Sequence, residues 1–233
     1  MNGAKLRARL AAGESIFMTN PHHVSSGLVQ RLIELGSDAV FLDCEHGSAS
    51  FEDVRVMSVA ARSAGGAGIA RPDSHQRSII TRYLNVGADG VMVPLINTAA
   101  EAQHVVDAVR FACPTDYDKR LVIAMVETVT AVSNLKEILS VEGIDVFFVG
   151  PGDMSQSMGY PPSVPFGEER PEPVIDKVAE AVAKIRAAGK IAGTLAFAWE
   201  MERWVKAGVQ FFYVHSDPFL RVGLTQMRAF VSR

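Results

Sequence analysis

Four times along the chain one polar-to-apolar phrase returns: GSDAVFLDCEHG (36–47), GADGVMVPL (87–95), GIDVFFVGPGD (143–153) and GVQFFYVHSD (208–217). In each, a glycine follows a helical stretch, two residues intervene, and an apolar run ends at a polar residue or a proline. The glycine fits the position just past a helix, where positive φ is required. The unbroken apolar run fits a strand buried on both faces, the pattern of a parallel sheet. SIFMTN (15–20), GAGIARP (66–72), LVIAMVE (121–127) and IAGTLAF (191–197) supply further strands, for about eight altogether.

Helical segments are expected between them, near 24–35, 51–64, 75–86, 98–111, 128–140, 172–188, 199–207 and 218–231. Val174, Val178, Val182 and Ile185 share one face of the sixth. Ser50 and Asp53 form a capping box for the second. The start, MNGAKLRARLAAGES, reads as a short amphipathic helix. Strict alternation over 233 residues predicts a single closed (β/α)8 TIM barrel spanning 1–233. The alternative is an open doubly wound sheet, but no GxGxxG opens the first βα unit. The least regular stretch is 154–173, MSQSMGYPPSVPFGEERPEP. It follows Asp153 and is expected over the carboxyl face of the barrel, as an active-site loop or a subunit contact.

Composition narrows the classes. Apolar residues make up 48%, charged residues 21%, and the net charge is -3, so neither a nucleic-acid nor a membrane surface is indicated. Cys44 and Cys113 show no paired spacing, which fits a reducing compartment. No apolar run approaches the ~20 residues needed to span a bilayer, and the start lacks a signal-peptide h-region. A cytoplasmic protein is expected.

The candidate chemistry lies where strands end, because that face of a parallel α/β fold carries the active site. The expected strand ends present Asn20, His22 and His23; Asp43, Glu45 and His46; Arg71; Glu127; Asp153; Thr194 and Leu195; and His215 with Asp217. Glu127 and Asp153 close two very apolar runs one βα unit apart, where a buried unpaired carboxylate is costly. Together they suit a hard divalent cation, which takes oxygen ligands and fills its other positions with water or substrate. A 2-oxo acid offers two such oxygens, and the metal would stabilise its enolate. Arg71 would add fixed positive charge, His46 would move a proton near neutral pH, and Asp43 would orient His46. No lysine stands at a strand end, which disfavours Schiff-base chemistry.

Each residue also has a structural reading. Glu127 is alternatively a helix N-terminal acid and Asp153 a cap, though the two acids together favour the cation reading. His46 is a satisfied structural histidine, Arg71 a surface ion-pair partner, and Glu45 a partner for a nearby cation. His22 and His23 read as loop residues, His215 and Asp217 as barrel-end structure, and Cys44 as a small buried residue.

The segments LDCEHG (42–47), ARPD (70–73), NVGADGVMVPLINTAAEA (85–102), VETVTAVSNLKEIL (126–139) and VEGIDVFFVGPGDMSQSMGYP (141–161) resemble the HpcH/HpaI aldolases, metal-dependent pyruvate aldolases, over nearly the whole chain. The resemblance implies a cytoplasmic (β/α)8 barrel, assembled as a homohexamer from dimers that exchange the last helix. It implies a class II aldol reaction. Pyruvate chelates Mg²⁺, Mn²⁺ or Co²⁺ and loses a methyl proton, and the enolate adds to an aldehyde; cleavage of a 4-hydroxy-2-oxo acid is the reverse. By the same resemblance Glu127 and Asp153 are metal ligands, and His46 with Asp43 forms the acid/base relay. Arg71 holds the keto oxygen, the N–H groups of Gly152 and Asp153 clamp the carboxylate, and Leu195 lines the pocket.

Three positions depart from the family pattern. Asn85 stands where many relatives have an acid thought to reach a neighbouring subunit's histidine. Met125 stands where some aldolases of dicarboxylic substrates have Gln. The connection RFACPTDYDKR (110–120) is shorter than the basic loop of other relatives. The aldehyde is therefore left open. Two other readings are a lyase of the citrate lyase β or malyl-CoA type, for which no basic patch suits the CoA phosphates, and a non-catalytic barrel that binds a 2-oxo acid.

Overall fold

In a computed structural model describing residues 2–231, eight parallel strands close on themselves in chain order. Helix α1 (Gly3–Ala11) precedes β1 (Ile16–Asn20), α2 (Ser26–Glu34), β2 (Ala39–Asp43), α3 (Phe51–Ser63), β3 (Ala67–Arg71), α4 (Arg77–Asn85) and β4 (Gly90–Val93). There follow α5 (Ala99–Ala112), β5 (Leu121–Val126), α6 (Val129–Ser133), α7 (Leu135–Leu139), β6 (Val146–Val149) and α8 (Pro151–Ser157). The barrel ends with α9 (Glu172–Ala187), β7 (Ala192–Leu195), α10 (Met201–Lys206), β8 (Phe211–His215) and α11 (Asp217–Val231). The first and last strands pair from Ile16↔Phe211 to Asn20↔His215, which completes the barrel.

Side chains alternate across each strand and so separate into two cores. Met18, Phe41, Ile69, Met92, Ile123, Met125, Phe148, Phe211 and Tyr213 point inward and fill the barrel, with Leu6 and Leu10 of α1 packed against them. The outward set, such as Val91, Val122, Phe147 and Phe212, packs under the surrounding helices. Val174, Val178, Val182 and Ile185 are all buried in that outer layer on α9. The Ser50–Asp53 capping box forms in full at the start of α3. Gly3 lies hard against the carbonyls of Asp89 and Lys119, a space that a side chain would fill, so α1 closes the amino end of the barrel tightly.

Two local expectations differ from the structure. The helix expected over 128–140 is two five-residue helices, α6 and α7, with Asn134 between them. Asn134 turns its side-chain amide to the carbonyl of Asn97, 2.8 Å away, at the joint. Asp153 does not end a strand, because β6 stops at Val149 and α8 starts at Pro151. Proline suits the first helical position, where the missing N–H would have no partner anyway. No helix among the described residues is long and apolar enough to cross a membrane.

Candidate active site

Glu127 directly follows β5 and is 1% exposed. Its Oε1 accepts the backbone N–H of Leu95 at 2.7 Å, while Oε2 is buried with no hydrogen-bond partner. Leu95 holds φ 54, a left-handed conformation that a leucine rarely adopts and that costs about 1 kcal/mol. That conformation aims its N–H at the carboxylate. Burial pushes the Glu127 carboxyl up to about 8; the Leu95 N–H opposes this and the charge of Asp153 adds to it. Gly150, the N-cap of α8, lies directly against Oε2, and a Cβ there would collide with it. The close approach of backbone to this carboxylate is thus made at Gly150. Asp153 sits in the first turn of α8, half-buried, lining the same cavity.

A buried carboxylate oxygen with no protein partner, beside a second carboxylate, fits a divalent cation that needs few protein ligands. Among the described residues no group of three or more His, Cys, Asp or Glu forms a metal cage. The donor set therefore suits an ion that keeps open positions for water or substrate rather than a closed structural site.

The cavity at this end of the barrel measures about 260 Å³, room for roughly nine water molecules at ~30 Å³ each. Met92, Met125 and Phe148 give it apolar lining, and Leu195 and Gly152 also line it. Arg71 lines it from the end of β3. Its Nε and Nη2 donate to the two oxygens of Asp43, at 3.0 and 2.8 Å. Its Nη1 lies 3.2 Å from Glu45. Burial raises the Asp43 carboxyl, but the Arg71 guanidinium and the N–H groups of His46 and Glu45 outweigh it, so the net shift is downward. Burial raises Glu45, only partly offset by Arg71.

Asp43 Oδ1 accepts the backbone N–H groups of Glu45 and His46, at 3.1 and 3.2 Å. It holds the 43–46 turn and Arg71; its contact with His46 is to the backbone, not the ring. The His46 side chain is 66% exposed, with Nε2 3.8 Å from Glu45. It lines an adjoining cavity of about 320 Å³ that shares Phe41, Arg71, Tyr213 and His215 with the first. Within one chain, Arg71, Glu127, Gly152, Asp153 and Leu195 thus line one cavity, and Asp43, His46 and Arg71 the other. Asn85 is the last residue of α4 and so lies toward the amino ends of the strands, opposite these cavities.

His22 and His215 stood in the sequence only as a loop residue and as barrel-end structure, while Tyr213, Arg170 and Phe197 were not singled out at all. His22 Nε2 and His215 Nδ1 lie 2.7 Å apart in a stacked pair where the cavities meet. Burial and the neighbouring His22 lower His215 to about 4, against the pull of Asp217. Tyr213 donates no signal of its own in an apolar run, yet its hydroxyl meets the Asn20 amide at 2.7 Å. Arg170 and Phe197 also line the cavity that holds Glu127 and Asp153. Only the irregular composition of 154–173 hinted that a cavity residue lay there. Burial pushes the Cys44 thiol up to about 11, in keeping with a small packed residue.

The sequence profile of the HpcH/HpaI aldolase/citrate lyase family matches residues 23–216. The 2-keto-3-deoxy-L-rhamnonate aldolase of Escherichia coli (strain K12) is 31% identical over 210 residues, covering 79% of this chain and 76% of the relative. The crystal structure of an HpcH/HpaI aldolase/citrate lyase family protein from Burkholderia cenocepacia J2315 superposes with a TM-score of 0.87 at 24% identity, over 99% of this chain and 100% of the other. Citrate synthase SbnG gives 0.85 at 26% identity, over 97% of each chain. With a closed eight-stranded barrel and acids clustered at its carboxyl end, this chain belongs to the HpcH/HpaI aldolase/citrate lyase family and is a carbon–carbon lyase.

Proposed function

We propose that the chain is a divalent-metal-dependent class II aldolase. It cleaves a 4-hydroxy-2-oxo acid to pyruvate and an aldehyde through the pyruvate enolate, and runs in reverse. The observation that carries this reading is the unpartnered, buried Oε2 of Glu127 beside Asp153, with Gly150 leaving the space against it. Glu127 and Asp153 would hold Mg²⁺, Mn²⁺ or Co²⁺, which when bound supplies Lewis-acid stabilisation of the enolate.

The protein's own part is positioning and proton movement. The first-turn N–H groups of Gly152 and Asp153 have no intrahelical acceptors and would receive the pyruvate carboxylate. Arg71, held by Asp43 and Glu45, would stabilise charge developing on the keto oxygen. Met125, Leu195 and Phe148 keep the methyl side of the site apolar. His46 would carry the proton at its Nε2. Asp43 contributes by fixing Arg71 and the peptide turn that bears His46.

A homo-oligomer belongs to the same reading, a hexamer built as a trimer of dimers. Helix α11 has no buried residue, and Leu220, Leu224, Met227 and Val231 form an exposed apolar stripe. Such a stripe needs a partner, and a second copy of this chain exchanging the same helix would provide one. A cytoplasmic location is part of this reading.

Pyruvate methyl-proton exchange in D₂O, followed by NMR on metal-stripped protein, tests the function without knowledge of the aldehyde. Exchange is expected only after Mg²⁺ or Mn²⁺ is added, and is expected to disappear in Glu127→Ala and Asp153→Ala. Absence of exchange in the metal-loaded wild type would refute pyruvate as the nucleophile.

A further inference from the structure

Two guanidinium groups line the cavity that holds Glu127 and Asp153, and they are engaged very differently. Arg71 gives its Nε and Nη2 to Asp43 and sets Nη1 beside Glu45, so protein carboxylates already neutralise it. Arg170 gives only Nη1, to two uncharged acceptors: the Ser155 hydroxyl at 3.1 Å and the Pro162 carbonyl at 2.8 Å. The two hydrogens of Nη1 are thereby used. The Nε–Nη2 edge, the fork that matches a carboxylate, has no partner among the described residues. No ion pair to Arg170 forms among them either.

Arg170 is half-buried, and its pKa is lowered by burial, against the more distant charges of Glu200 and Asp153. A partly desolvated cation without a counter-ion is costly, and the cost is recovered when a ligand supplies the anion. The group is also pre-organised. Its two Nη1 bonds tie it to Ser155 of α8 and to Pro162 of the loop that follows α8, which lowers the ordering cost of binding. The same cavity is also lined by Val164, Leu195 and Phe197. Phe197 is itself held in a stack between Trp199 and His215, with centroids 4.7 and 6.1 Å away.

We propose that Arg170 is a specificity-determining residue for the aldehyde half of the reaction. It receives the terminal carboxylate of an acceptor that is both aldehyde and acid, so that the compound cleaved is a 4-hydroxy-2-oxo diacid. This rests on the pyruvate aldolase reading. The carboxylate of pyruvate itself goes to the N–H groups of Gly152 and Asp153, and Arg170 is left for the far end of the acceptor.

Pyruvate exchange in D₂O is measured first on the Mn²⁺-loaded wild type, because its absence defeats the aldolase reading and this inference with it. With exchange present, aldol addition is compared within two pairs of acceptors, glyoxylate against glycolaldehyde and succinic semialdehyde against pentanal. The wild type should prefer the acid in at least one pair. Arg170→Gln should lower that preference about 10–100-fold, mainly through KM for the acid, as expected for charge-assisted hydrogen bonds. Arg170→Lys should recover part of it. A wild type without preference for either acid overturns the proposal. So does an Arg170→Gln variant that loses both members of a pair equally, since Arg170 then only ties the loop after α8 to Ser155 and Pro162. A rise in KM for pyruvate instead would assign Arg170 to the pyruvate carboxylate and overturn it as well.

Discussion

Asp43 and Arg71 are register partners at the ends of β2 and β3, and the Asp43 carboxylate closes a two-bond fork with the Arg71 guanidinium. Residues opposed on parallel strands point to the same side, so the pairing follows from the sheet register. Asp43 therefore acts first on Arg71 and on the peptide turn through Glu45 and His46, not on the His46 ring. Asp43→Asn cannot accept two charge-assisted bonds, and kcat/KM for aldol cleavage should fall about 10–100-fold. A double-mutant cycle checks the path. Asp43→Asn should couple strongly with Arg71→Lys and combine nearly additively with His46→Ala. Strong coupling to His46 alone would restore a direct relay.

Gly150 is the glycine at which a single added methyl group would meet the Glu127 carboxylate. A Cβ there strikes Oε2 of Glu127, the unpartnered atom that the proposed cation would take. Its φ of -84 is ordinary, so Gly150→Ala strains the site and not the backbone. Mn²⁺ affinity, read by electron paramagnetic resonance, should fall at least about tenfold while the circular dichroism spectrum is retained. Unchanged Mn²⁺ binding would remove Glu127 Oε2 from the ligand set.

His215 gives a pH signature of known sign. Its pKa is about 4 in the folded protein against 6.5 for the free side chain. Between those values the unfolded chain binds the proton and the folded chain does not, so this group's contribution to stability is present above 6.5 and is lost as pH falls toward 4. The charged and titratable groups facing it are His22, Asp217, Arg170 and Arg71. Glu127, with its raised pKa, acts in the opposite direction, so wild-type Tm alone is not diagnostic. The difference in Tm between wild type and His215→Phe should therefore change in favour of the variant as pH drops from 6.5 to 4. A pH-independent difference would mean that His215 titrates normally.

The apolar stripe of α11 predicts an assembly that charge can break. Leu220→Asp combined with Leu224→Asp places two carboxylates on a face that is open in one chain and that the proposed assembly would cover. Light scattering should report a smaller species for the double variant, with the far-ultraviolet spectrum of the barrel preserved. An unchanged mass would show that α11 is not the contact.

Local pattern carried most of the architecture. The glycine–apolar phrases marked where each strand begins, because a helix ending in positive φ and a strand buried on both faces leave strong one-dimensional traces. Glu127 and Asp153 were conspicuous for the same reason: acids beside apolar runs are out of place. The split of 128–140 into two helices was not legible, since it rests on Asn134 reaching the carbonyl of Asn97 across the fold. The helix from Pro151 was hidden by its two glycine and proline residues, although proline at N1 was a usable cue.

From sequence alone came the alternating barrel, the family and the identity of the acids and arginine at its mouth, because these depend on periodicity and on residue type next to each strand. Only the tertiary structure decided the partners. It turned Asp43 toward Arg71, left Oε2 of Glu127 without one, stacked His22 on His215, and brought Arg170 from an irregular loop into the cavity with its fork free. Hydrogen bonds and charges act over a few ångströms in space, and residues 127 and 170 become neighbours only after the barrel has closed.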